Sequence, residues 1–101
     1  MKAYKVFNPD WTCKGFKYEV GKTYTHKGSI SLCSSGFHAC KKVSDCFTYY
    51  SFDPNNKVAE VKLLGKVHGE DQDKQVTDKI KIVRELSWNE MLELANTGKG
   101  N

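Results

Sequence analysis

The sequence predicts an α+β domain: an antiparallel or mixed sheet with one short internal helix and a C-terminal helix. Several short segments alternate apolar and polar residues with period two, as half-buried strands require. Two other segments carry the 3.6-residue period or the cap chemistry of helices. The order (strands, helix, two strands, helix) lacks the βαβαβ alternation of a parallel sheet. At 101 residues the chain makes one domain, read as residues 1–96 with 97–101 as a frayed tail.

Residues 3–7 alternate around Tyr4 and Val6 and read as a first strand, ended by the turn chemistry of Asn8-Pro9-Asp10. Phe16, Tyr18 and Val20 alternate with Lys17 and Glu19, a half-buried strand stopped at Gly21-Lys22. Thr23 to His26 is read as its partner in a tight hairpin. Ile30 and Leu32 lead into the small-residue turn Cys33-Ser34-Ser35-Gly36, which precedes Phe37-His38-Ala39-Cys40. Val43, Cys46, Phe47 and Tyr50 share one face of a short helix. After the break at Phe52 to Asn56, Ala59, Val61, Leu63 and Val67 oppose Glu60, Lys62, Lys66 and His68 on one long strand. Ile80 and Ile82 against Lys79 and Lys81 mark the last strand. Ser87-Trp88-Asn89-Glu90 is a capping box, with Leu86 and Met91 at the two staple positions. The helix it opens is expected to end before Asn96-Thr97-Gly98.

A composition of 39% hydrophobic and 28% charged residues excludes a disordered or collagen-like chain. Net charge is +4, and of the 16 basic residues only Arg84 is an arginine. Specific base and phosphate readout favours guanidinium forks, so scattered lysines first suggest solvated strand faces and turns. The acidic stretch Glu70-Asp71-Gln72-Asp73 lacks the glycine and terminal glutamate of a calcium loop and reads as a solvated loop. No apolar run approaches the ~18 residues of a membrane span. Lys5 interrupts the first residues where a signal peptide would be apolar, so a cytoplasmic location and no membrane partner are expected.

Four cysteines are more than a small intracellular domain needs. Period-two alternation puts His38 and Cys40 on one strand face, about 6–7 Å apart. Cys33 precedes a turn that can fold back beside them, and Cys13 stands at the mouth of another turn. Cys13, Cys33, His38 and Cys40 together match a closed tetrahedral zinc site, which is structural because no position is left for water or substrate. The alternative, that all four cysteines are reduced thiols, stays open. Cys46 falls on the apolar helix stripe and is read as a small core hydrophobe. A Cys33–His38 nucleophile–base pair lacks a helix N-terminus to activate the thiol. No Gly-x-Ser-x-Gly elbow or glycine-rich phosphate loop is present.

Four segments together resemble a family of uncharacterised small domains found in phages, prophages and bacterial genomes: Cys13-Lys14-Gly15-Phe16-Lys17-Tyr18-Glu19-Val20-Gly21-Lys22, Leu32 to Cys40, Tyr49-Tyr50 and Ala59-Glu60-Val61. The likeness extends to Asp78-Lys79-Ile80-Lys81-Ile82, and its pattern contains Cys13, Cys33, His38 and Cys40 but not Cys46. A fainter similarity is to small ADP-ribosyltransferases of the rifampin-modifying type, which implies a strand, helix and acidic-loop order with Asp45 on the helix. Lys5 stands where that likeness implies an NAD-binding histidine, so the chemistry is expected to be lost.

The functional expectation is a non-enzymatic, zinc-stabilised phage or prophage protein. It would act by binding a host protein, such as a nucleic-acid-handling defence complex, as an anti-CRISPR-type inhibitor does. The lysine-rich strand faces favour an acidic surface, or one that normally receives nucleic acid. The alternatives are a degenerate ADP-ribosyltransferase-like enzyme and a lysine-mediated nucleic-acid binder.

Overall fold

The computed structural model describes residues 1–31, 35–49 and 53–97. The fold is α+β, and the strand pairs among the described residues are antiparallel. The main sheet has four strands in the order β1 (Lys2–Phe7), β6 (Lys57–Leu63), β9 (Lys79–Glu85), β4 (Thr23–Thr25). A second sheet of three strands has the order β5 (Phe37–Ala39), β8 (Gln75–Thr77), β7 (Val67–His68). Between them lies a small hairpin of β2 (Thr12–Cys13) and β3 (Phe16–Lys17). Two helices complete the fold, α1 (Val43–Tyr49) and α2 (Trp88–Thr97).

A backbone bridge ties the two sheets. The Tyr4 amide donates to the Cys40 carbonyl at 2.7 Å, and the Cys40 amide returns to the Tyr4 carbonyl at 2.8 Å. Every residue of β1 from Ala3 to Phe7 is buried, because both faces of this strand are covered. Ala3 and Phe7 point into a core with Tyr18, Phe37, Val61 and Ile80. Tyr4 and Val6 point into a second core with Val43, Cys46, Leu86 and Met91, under the helices. Each fully buried large apolar side chain contributes roughly 1.5–3 kcal/mol, so neither core is dispensable.

Several sequence expectations hold. Ile80 and Ile82 are buried while Lys79 and Lys81 are exposed. Val43 and Cys46 are buried, with Phe47 packed beside them, whereas Tyr50 lies outside the described residues. Leu86 and Met91 meet in the same core as the staple requires. The Glu90 amide donates to Ser87 Oγ at 3.2 Å, which is half of the capping box. The other half is replaced. Arg84 Nη1 and Nη2 donate to the Glu90 carboxylate at 2.8 and 2.7 Å, a charge-assisted fork stronger than a bond to a neutral amide. Helix α2 also runs on through Thr97 rather than stopping before Asn96, since nothing breaks it ahead of Gly98.

The larger corrections concern pairing. Residues 16–20 do not form one half-buried strand: Tyr18 is buried, but Phe16 and Val20 are exposed. Thr23–Thr25 pairs with β9 instead of with that segment, setting Tyr24 opposite Ile80. Alternation states which way residues face but not which strand they meet. The strand expected to run from Ala59 to His68 is cut at Gly65, where an added Cβ would lie 1.8 Å from Asp78 Oδ1. That carboxylate accepts the Lys66 amide at 2.8 Å, and the chain turns so that β7 joins the second sheet.

Candidate functional site

The structure does not bring Cys13 and Cys40 to one site. Cys13 packs with Ala3, Phe7 and Tyr18, whereas Cys40 packs with Tyr4, Val6 and Cys46. These sets lie on opposite faces of β1, so the strand itself stands between the two thiols. His38 and Cys40 border one small cavity with Cys46, in keeping with their shared strand face. Cys33 lies outside the described residues. Among the described residues no three His, Cys, Asp or Glu side chains form a group that could hold a metal ion. Cys13, Cys40 and Cys46 are in no disulfide. The hydrogen bond to Cys40, together with burial, pushes the Cys46 thiol well above its usual range.

His38 is held by the chain. Its Nε2 lies 3.1 Å from the Ser31 carbonyl, which can only accept, so Nε2 carries the proton. Burial lowers its basicity, and nearby Lys5, Lys14 and Lys74 lower it further, against the bond to Ser31. His26 Nε2 faces the Ser29 carbonyl at 3.2 Å. His68 is exposed on β7, and Asp45 sits on the first turn of α1.

A cleft of about 360 Å³ opens between β1, the β2–β3 hairpin and β5. Lys5 forms its floor, and Lys14 and Lys27 are on its walls with His26 and His38. Among the described residues no carboxylate lines it, and Asp45 is not in its lining. Lys5 is only 4% exposed. Its Nζ donates to the His38 carbonyl at 2.7 Å and meets the Cys13 thiol. Desolvation lowers its basicity, against the thiols of Cys13 and Cys46. The aromatic wall is continuous: Phe16 lies 4.7 Å from Tyr18 and 5.8 Å from Phe37 between ring centres.

A second cationic feature lies on the main sheet. The strand registers place Lys2 opposite Lys62 and Lys62 opposite Lys81. Directly opposed residues share a face, so three exposed lysines form one row across three strands. Exposed Lys79 lies two residues before Lys81 on the same face. None of the ion pairs among the described residues involves these four lysines. Lysine commonly protects sheet edges, but β6 and β9 are interior strands, so edge protection does not explain Lys62 and Lys81.

Neither feature was legible as a site from spacing. Lys62 and Lys81 were visible as outward positions, but their opposition depends on register. Lys5 carried one usable signal: it shares the period-two face of Ala3 and Phe7, which is an apolar face.

No helix among the described residues is long and apolar enough to cross a membrane. No curated protein and no solved structure matches the chain significantly. A family model described as a domain of unknown function, DUF7666, matches residues 1–94. With nearly the whole chain matched, the protein belongs to the DUF7666 domain family.

Proposed function

We propose that this chain is a non-enzymatic phage- or prophage-type protein that docks on an acidic surface of a host protein. Inhibition of a nucleic-acid-handling defence complex, in the manner of an anti-CRISPR protein, is the concrete form. The observation that carries this reading is the row Lys2–Lys62–Lys81. Like charges set directly opposite each other destabilise a sheet, and an opposing acidic surface relieves that repulsion. The row also supports the second reading, lysine-mediated nucleic-acid binding, but its point charges lack the bidentate forks of base readout. A structural zinc on Cys13, Cys33, His38 and Cys40 is part of the proposal, and the strand face shared by His38 and Cys40 supports it. Elemental analysis of the purified chain before and after Cys40→Ser tests it.

Affinity capture from a host lysate tests the docking surface. Lys62→Glu/Lys81→Glu is expected to abolish capture of the partner. Lys14→Glu/Lys27→Glu, of equal net charge, is expected to retain it. Equal loss from both pairs would reduce the effect to net charge and overturn the assignment. Displacement of the partner's place by plain DNA or RNA, with affinity falling steeply with salt, would transfer the row to the nucleic-acid reading.

A further inference from the structure

We propose that the cleft floored by Lys5 is a second binding site, one that takes a phosphate monoester carried on an aromatic ring. This site is separate from the lysine row and does not depend on it. The first ground is charge. Lys5 is buried, and its partners, the His38 carbonyl, the Cys13 thiol and the faces of the Phe7 and Tyr18 rings, include no carboxylate. A buried cation is stable when an opposite charge pairs with it, and among the described residues no carboxylate lines this cleft. Lys14 and Lys27 add two further cations on the walls, so the complementary ligand carries more than one negative charge. A phosphoryl dianion meets that requirement better than a carboxylate, and lysine binds phosphate as a point charge.

The second ground is the wall. Phe16 is 44% exposed although it sits in an aromatic cluster with Tyr18, Tyr24 and Phe37. An open aromatic surface beside converging cations suits a ring attached to the phosphate. The volume, about 360 Å³, lies within the range of small-ligand pockets.

The third ground is local strain. The turn between Cys13 and Phe16 has two residues, Lys14 at φ 52° and Gly15 at φ 79°, both positive as a type I′ hairpin demands. Asparagine or glycine fits the first of these positions with less strain. Lysine there holds a cation at the cleft wall at the expense of turn stability.

Isothermal titration at fixed ionic strength, with phenyl phosphate, adenosine monophosphate and inorganic phosphate as probes, tests the site. At least one ring-bearing ester is expected to bind about tenfold more tightly than inorganic phosphate. Preference for phenyl phosphate marks a phosphorylated aromatic side chain as the source, and preference for the nucleotide marks a free nucleotide. Lys14→Asn is expected to weaken the ester about tenfold while leaving the melting temperature equal or higher. Inorganic phosphate binding as tightly as both esters, no saturable binding of either ester, or unchanged ester binding by Lys14→Asn would each overturn the proposal.

Discussion

Lys5 Nζ and the His38 carbonyl, 2.7 Å apart, join the edge strand of the main sheet to the edge strand of the second. This bond runs from the side chain, on the face of β1 opposite to Tyr4, and so adds a second tie beside the Tyr4–Cys40 backbone bridge. Replacing the lysine by alanine empties its stem's volume and leaves the carbonyl without this donor. Lys5→Ala is expected to lose about 2–4 kcal/mol of stability in urea denaturation. Lys5→Met fills the volume and removes a buried charge, so its loss is expected to stay within about 1 kcal/mol. Equal losses for both substitutions would show that the amine, rather than the stem, carries the stability.

Gly36 lines the cleft at φ 101°, and a Cβ there would meet Val76 Cγ2 at 2.8 Å and the Thr77 carbonyl at 2.9 Å. Backbone cannot yield as a flexible side chain can. Gly36→Ala is therefore expected to cost about 2–4 kcal/mol from strain and overpacking together. Gly15→Ala, with positive φ but open space around it, is expected to cost only about 1 kcal/mol. Thermal denaturation of the two variants checks the ranking.

Lys62 has a lysine opposite it on each side. Removing its charge relieves both repulsions, so Lys62→Gln is expected to raise stability by about 0.5 kcal/mol at low salt. In 1 M salt, where the screening length is about 3 Å, the gain is expected to vanish. A loss of stability at low salt would show that the lysine stem packs rather than merely tolerating its neighbours.

In the metal-free chain, Cys13 and Cys40 are expected to behave as independent core positions. Serine at each removes a buried sulfur from a different core, and the double variant should lose the sum of the two within about 0.5 kcal/mol. Two thiols on one ion would act otherwise: the first substitution would release the metal and the second would then cost little. Denaturation of the two single variants and the double variant separates these outcomes.

Much of the fold was legible because the relevant physics is local. The Val43–Cys46 face, the Ile80–Ile82 alternation and the Leu86–Met91 staple need only neighbours along the chain. Pairing was not legible, since Tyr24 opposite Ile80 is a contact 56 positions apart in sequence. Strand β8 was missed because Gln75-Val76-Thr77 looks polar, yet all three residues are buried. The candidate cysteine set shows the same divide. His38 and Cys40 share a face by alternation, which the sequence reveals, but the side of β1 that receives Cys13 follows from the tertiary bridge at Tyr4. The lysine row likewise exists only once three strands are in register.

Amide chemical-shift mapping of the full chain with a short Asp/Glu-rich peptide locates the acidic-partner surface directly. Shifts are expected to gather at Lys2, Lys62, Lys79 and Lys81 and to fade as salt is raised. A saturable interaction that leaves the amides of that row unmoved, or no interaction at low salt, would contradict docking through the row.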